Sequence, residues 1–297
     1  MARCLVTRLA GSVSNSSLLK LGEIKIISNL TTIGNSEDYI RVDGSSDAPI
    51  TLKMESGYFR ANKAEDIKSG TEKTIDTPTE LFPSIGEHVI SVIPKYNLTY
   101  LKNVCLNIND LSFSKKLTSI VLKETSSGDI SVLKNLTELT YINFNNCHIS
   151  GDISVLKNLI NLKSFDLSSI NSKNIFGNIF NLSNLSNLNN FRLDVEGISG
   201  DLATLPANCR FVALHNLAKF TWSSRPTNAK IIAIGGNPII SNIDKMLQDQ
   251  AACQASIKSD DLAYYKVITA TGTRTSASDA AVATLESKGY TVSVSPV

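Results

Sequence analysis

The stretch Gly128-Asp129-Ile130-Ser131-Val132-Leu133-Lys134-Asn135-Leu136 returns unchanged as Gly151-Asp152-Ile153-Ser154-Val155-Leu156-Lys157-Asn158-Leu159, 23 residues further along the chain. Looser copies follow at Gly177-Asn178-Ile179-Phe180-Asn181-Leu182 and Gly200-Asp201-Leu202-Ala203-Thr204-Leu205. A period in the twenties marks short units that cannot bury their apolar faces alone and do so by stacking.

An apolar ladder stands upstream of each Gly-Asx pair. Its best copy is Leu139, Ile142, Phe144, Cys147 and Ile149. We read further copies from Leu101 (Val104, Leu106, Asn109, Leu111), Leu117 (Ile120, Leu122, Thr125), Leu162 (Phe165, Leu167, Ile170) and Leu188 (Phe191, Leu193, Ile198). Degenerate ones begin at Cys209 (Val212, Leu214, Leu217) and at Ala229 (Ile232, Ile234, Asn237, Ile239). The spacing L-x-x-L-x-L-x-x-N-x-L resembles the leucine-rich repeat. The resemblance implies an α/β solenoid of short parallel strands, with alternate side chains buried and the N-position residue, here Asn109 or Cys147, holding the inner turn. The many asparagines are then turn residues before they are ligand contacts.

Strand residues between the buried rungs point outward. They are Ser119, Val121 and Lys123; Tyr141, Asn143 and Asn145; Ser164, Asp166 and Ser168; Asn190, Arg192 and Asp194. Small, polar and of mixed charge, they suit contact with a protein or glycan. The candidate binding set on this concave strand face is Tyr141, Asn143, Asn145, Ser164, Asp166, Asn190, Arg192 and Asp194.

The flanks read differently. Residues 1–95 form a β-rich module, with strands expected at Ile24–Ile27, Tyr39–Val42, Ile50–Met54 and Val89–Ile93, turns at Gly34-Asn35, Asp43-Gly44 and Ser45–Asp47, and a loop-like stretch from Asn62 to Thr79. The solenoid occupies 96–253. Near its end a strand over Lys230–Ile234, a turn at Gly235–Pro238 and a helix opening at Ser241–Leu247, capped by Ser or Asn, are expected. Residues 254–297 repeat that plan, with strand Lys266–Ala270, helix Ser278–Lys288 stopped by Gly289, and strand Thr291–Val294, and are expected to cap the last apolar layer.

Composition narrows the function. With 42% hydrophobic and 19% charged residues, 297 residues make a folded chain. Lys+Arg 29 against Asp+Glu 27 leaves a net charge of +2 and no field to mark a nucleic-acid binder. The apolar run Cys4–Val6 is too short for a signal-peptide core, and no stretch reaches the roughly 18 residues of a membrane helix. Cys4, Cys105, Cys147, Cys209 and Cys253 are scattered and odd in number, which fits buried thiols in a reducing compartment better than disulfides or zinc.

Catalytic constellations fail on spacing or context. Gly235-Gly236-Asn237-Pro238 lacks the Lys-Ser/Thr of a phosphate loop and the third glycine of a dinucleotide fingerprint. His148 beside Cys147 points the opposite way. Asp129, Asp152 and Asp201 recur with the repeat and are expected to cap turns rather than bind a cation. The sequons at Asn29, Asn97, Asn135, Asn181 and Asn184 have meaning only in a eukaryotic secretory setting. Trp222, near Phe220, is expected to fill core. We therefore expect no enzyme activity, no cofactor and no metal.

The opening Cys4–Leu9 with Ser16–Ile24 resembles the start of structural proteins of Bacteroides-infecting, crAss-like phages. That resemblance implies a virion protein, a head or tail fibre or decoration component. Residues 1–95 would be its anchor, pairing with other virion proteins or with their own copies as a homo-oligomer. The repeats would then be displayed toward a host-surface protein or glycan. A bacterial leucine-rich repeat adhesin or interaction protein is the alternative.

Overall fold

The computed structural model of this chain describes residues 24–30, 40–43, 50–56, 58–61, 67–68, 72–75, 78–83, 86–93, 100–104, 107–112, 114–122, 126–167, 174–215, 217–257 and 262–297. Leu106, Lys123, Thr125, Ser168, Ile170, Cys4, Cys105 and the turns expected at 34–35 and 45–47 lie outside these residues, as does the phage-like opening before Ile24. The chain divides into two compact units, Met1–Ile149 and Ser150–Val297.

The first unit contains an antiparallel sheet in the order Ile24–Leu30, Gly86–Ile93, Ile50–Ser56, Glu72–Ile75. A second set of strands pairs Ile67–Lys68 with Tyr58–Ala61, Tyr58–Ala61 with Pro78–Pro83, and Pro78–Pro83 with Ile40–Asp43, all antiparallel. The expected loop from Asn62 to Thr79 is thus corrected. It carries the strands Ile67–Lys68 and Glu72–Ile75 and the start of Pro78–Pro83. Glu72-Lys73-Thr74-Ile75 lies at the end of its sheet, where polar residues are tolerated and apolar alternation is not required.

The β-rich module does more than precede the repeats. Its strand Ile40–Asp43 pairs antiparallel with Tyr100–Val104, matching Arg41 to Lys102 and Val42 to Leu101. From there the sheet turns parallel, through Tyr100–Val104, Ser119–Leu122 and Tyr141–Asn143. Leu101, Ile120 and Ile142 share one register row and are completely buried. That register corrects the repeat read from Leu101. Leu101 matches Ile120 and not Leu117, so Asn109 is no inner-turn residue. It is exposed in the short 3-10 helix Ile108–Leu111, where its Oδ1 accepts from Asp129 N. Cys147 does hold the expected position, fully buried, with His148 exposed beside it.

In the second unit the parallel ladder runs through Ser164–Asp166, Asn190–Leu193, Phe211–Leu214, Ala233–Gly235, Val267–Thr271 and Thr291–Ser295. Phe165, Phe191, Val212, Ile234 and Ile268 form its buried row. A second parallel ladder links His148–Asp152, Ile175–Asn178, Gly197–Asp201, Lys219–Thr221 and Ile239–Ile240. Ile153–Asn158, Ile179–Leu182 and Leu202–Thr204 are 3-10 helices that turn the chain after the second ladder, burying Ile153, Leu156, Ile179, Leu182 and Leu202. These coils are those of a leucine-rich-repeat solenoid, as the ladder implied.

The Gly-Asx pair is explained by its corner. Asp152 Oδ1 accepts from Ser154 N at 2.8 Å, Asn178 Oδ1 from Phe180 N at 2.8 Å, and Asp201 Oδ1 from Ala203 N at 2.9 Å. Each thereby satisfies a donor at the start of its 3-10 turn. The preceding glycine has φ of +133° at Gly177 and +125° at Gly200. A Cβ there would fall 2.6 Å from Asp152 Oδ1 and 2.4 Å from Asn178 Oδ1 respectively. Each coil's capping side chain therefore occupies the space that the next coil's glycine leaves free. The first unit repeats the device, with Gly128 against Asn107 Oδ1.

At the end of the second unit, Val212 matches Ile234, which corrects the repeat read from Ala229 by two positions. The expected strand Lys230–Ile234 is also displaced, to Ala233–Gly235. Ile231 and Ile232 are completely buried, but the N–H and C=O of Ile232 bond the side-chain amide of buried Gln250, at 2.8 and 2.9 Å, in place of a neighbouring strand. Gln250 lies on helix α1, Ile243–Ala252. Asn242 precedes α1 at φ +61° without capping it, and its Nδ2 donates to Trp222 O instead. Trp222 is buried, as expected, and its Nε1 donates to Asp249 Oδ2 at 2.9 Å. Buried Arg225 donates to the carbonyls of Leu205, Pro206 and Lys230. Helix α2, Asp279–Ser287, ends before Gly289 at φ +89°, where the sequence placed its stop. Beyond Ile234 the tail extends the parallel ladder by two strands, Ile234 matching Ile268 and Ile268 matching Val292.

Candidate functional site

The outward row beside the buried one reads Asp166, Arg192, Ala213, Gly235 across neighbouring strands of the second unit. Its side chains shrink along the sheet until none is left. The next row reads Ser164, Asn190, Phe211, Ala233. Between them opens a groove of about 490 Å³ lined by Arg192, Asp194, Phe211, Ala213, Leu214, His215 and Gly236.

The short 3-10 helix Ala263–Lys266 builds an aromatic wall there. Phe211 meets the rings of Tyr264 and Tyr265 at centroid distances of 4.9 and 5.3 Å, and the tyrosines meet each other at 4.4 Å. The Arg192 guanidinium carbon lies 5.5 Å from the Phe211 centroid and 5.0 Å from that of Tyr264. Arg210 holds the far side, 5.2 Å from the Tyr265 centroid, with its Nε and Nη2 donating to Ser256 O. Such pairs join cation–π attraction to ring packing. Burial, with the neighbouring Tyr264 hydroxyl and its charge, pushes the Tyr265 phenol up to about 12 against the pull of Arg210 and Arg192, so that phenol keeps its proton at neutral pH.

Arg192 makes one ion pair, Nη1 to Asp166 Oδ2 at 3.9 Å, with its side chain 37% exposed. His215 accepts from Leu217 N through Nδ1 at 3.1 Å, so the neutral ring carries its proton on Nε2. Gly236 floors the groove at φ +87°, where a Cβ would lie 1.8 Å from Leu214 O.

The candidate residues from the sequence separate here. Arg192 and Asp194 line the groove. Ser164 and Asp166 are half-buried on the same outward face. Asn190 is half-buried too, and its Oδ1 is sequestered with no hydrogen-bond partner among the described residues. In the first unit Tyr141 is 38% exposed and Asn145 is exposed, while half-buried Asn143 spends its Oδ1 on Asn145 N at 3.0 Å. Phe211, His215, Tyr264 and Tyr265 are absent from the sequence-based set. The adjacent tyrosines were the available signal, along with the outward position between Arg210 and Val212.

The other chemical candidates dissolve into structure. Among the described residues no three of His, Cys, Asp and Glu gather as a metal site, and no helix is long and apolar enough to cross a membrane. Cys147, Cys209 and Cys253 are buried free thiols, and burial pushes Cys209 up to about 12. No protein-family model matches the chain. No curated protein matches it either. Among solved structures it is similar to an internalin C2 of Listeria monocytogenes, at 18% identity and a TM-score of 0.47 over 67% of this chain and 81% of that one. A second Listeria monocytogenes internalin (inlF) aligns at 18% identity and a TM-score of 0.31 over 68% of this chain and 76% of that one.

Proposed function

We propose that this chain is a non-enzymatic recognition protein that takes a protein partner on the outward face of its parallel ladder, at the groove beside Arg192. The observation that carries the proposal is the break in the repeat. Buried rows keep their character from coil to coil, whereas the outward row passes from Asp166 and Arg192 to bare backbone under an aromatic wall. Aromatic and arginine side chains around a small-residue floor are the composition of protein-binding hot spots.

On the resemblance of residues 4–24 we set the protein on a bacteriophage particle, as a head or tail fibre or decoration component with residues 1–95 as its anchor or oligomerising module. The resemblance is the support for that setting. A bacterial adhesin or interaction protein would use the same face. Panning a random-peptide library on the full chain tests recognition. Peptides should be enriched on the native protein and lost on the Tyr141→Ala, Asn143→Ala, Arg192→Ala, Asp194→Ala variant with unchanged circular dichroism. Equal enrichment on both rejects the face. Mass spectrometry of purified particles tests the virion setting, and light scattering of the full chain tests homo-oligomerisation, which a monomeric mass overturns.

A further inference from the structure

We infer that the groove beside Arg192 is a carboxylate subsite that receives an aspartate or glutamate side chain of the partner. This deepens the recognition role proposed above and rests on it. The guanidinium offers five donors in a planar fork matched to the two oxygens of a carboxylate. In this chain the fork is held by the faces of Phe211 and Tyr264, and Asp166 meets it only at 3.9 Å. Ring contact fixes the side chain before any ligand arrives, which lowers the entropy lost on binding.

Space is reserved next to the fork. Successive strands lie about 4.8 Å apart, so the Ala213 and Gly235 rungs leave roughly 10 Å of floor without a long side chain. Gly236 cannot carry one, because its Cβ would strike Leu214 O. His215, its Nδ1 engaged by Leu217 N, supplies an Nε2–H donor from the same lining. Asp194 at the rim is an acceptor for the partner's backbone N–H groups.

The charges select the ligand. Asp166 and Asp194 outweigh the one arginine, so an anion is held here by the geometry of the fork and the His215 donor rather than by net charge, and a phosphate group, which carries nearly two negative charges, is disfavoured more than a carboxylate. A neutral sugar hydroxyl would leave the fork without its bidentate partner.

The test is solution NMR on the full chain carrying 15N-arginine, titrated with N-acetyl-glutamate methylamide and with its glutamine counterpart. The glutamate probe should shift the Arg192 Nε–H and the His215 ring protons saturably, and the glutamine probe should bind at least about tenfold more weakly. Arg192→Lys keeps the charge but not the fork and should cost about tenfold in affinity. Ala213→Leu keeps Arg192 and fills the floor, and should abolish the shifts. Equal binding of both probes, or native-like binding by both variants, overturns the carboxylate subsite. Library peptides enriched without an acidic residue also overturn it while leaving recognition standing. No enrichment, with the glutamate shifts present, removes the protein partner and leaves the subsite.

Discussion

Two regions of this molecule use acidic residues at repeat-defined positions, and they use them differently. At the corners, Asp129, Asp152 and Asp201 recur with the period, and each spends an oxygen on a backbone N–H two residues later. On the outward face, Asp166 meets Arg192 at 3.9 Å and Asp194 lines the groove beside it, and the same row carries Ala213 and Gly235 on the next strands. What recurs in a solenoid serves the stacking. What departs from the recurrence is free to serve a partner.

The largest effect expected within this contrast belongs to the buried row. Phe191→Ala should cost about 4 kcal/mol, read as a lower urea midpoint, because a fully buried ring leaves a cavity. Gly200→Ala should follow at about 3 kcal/mol, since φ of +125° and Asn178 Oδ1 at 2.4 Å both oppose a Cβ. A cost under about 1 kcal/mol there would mean that the corner is not the lock between coils.

Asp201→Ala should cost about 1 kcal/mol as a lost cap. Asp201→Asn should lie within about 0.5 kcal/mol of the native protein, because Asn178 already does the same work. A large loss in the Asn variant would show that the corner needs charge. Arg192→Ala, on the outward face, should cost no more than about 1 kcal/mol, even as it removes peptide binding.

The acid limb of stability reports on carboxylates that belong to neither region. Burial raises Asp249, but the donors Lys245 Nζ, Trp222 Nε1 and Arg225 N outweigh it and hold the group below the usual aspartate range. Asp244 is lowered by the hydroxyls of Ser278 and Thr275 and by Thr275 N. With folded values below unfolded ones, their contribution is present above about pH 4 and is lost as the pH falls through the folded values. Asp249→Asn should flatten the urea midpoint against pH below about 4 and leave its slope near pH 7 unchanged.

Most of the solenoid was legible because its signal is redundant. Leu139, Ile142, Phe144 and Cys147 state the buried side, and the Gly-Asx pair states the corner. Register failed where redundancy ran out. Leu101 and Ala229 both begin plausible ladders, but strand pairing puts Leu101 opposite Ile120 and Ile234 opposite Val212. A hydrophobic pattern with an apolar residue at nearly every place, as in Ile231-Ile232-Ala233-Ile234, cannot choose its own phase. Polar strands such as Glu72–Ile75 were hidden for the opposite reason. Of the seven residues that line the groove, only Arg192 and Asp194 stand in the set read from the sequence. Phe211 and the Tyr264–Tyr265 wall do not, because their proximity depends on a chain excursion of some fifty residues that no local period encodes.

The corner lock has a consequence for how such a chain can change length. Gly177 receives the cap of one coil and Gly200 receives the cap of the next, although 26 residues separate Gly151 from Gly177 and 23 separate Gly177 from Gly200. The chain between corners is elastic in number, while the corner itself is an all-or-nothing joint. Growth and shrinkage are therefore quantised: removing the stretch from Ile153 through Asn178 would bring Gly200 onto Asp152 in place of Asn178 and restore the same joint. The nonapeptide that begins at Gly128 and returns unchanged at Gly151 keeps that quantum, one whole coil of 23 residues.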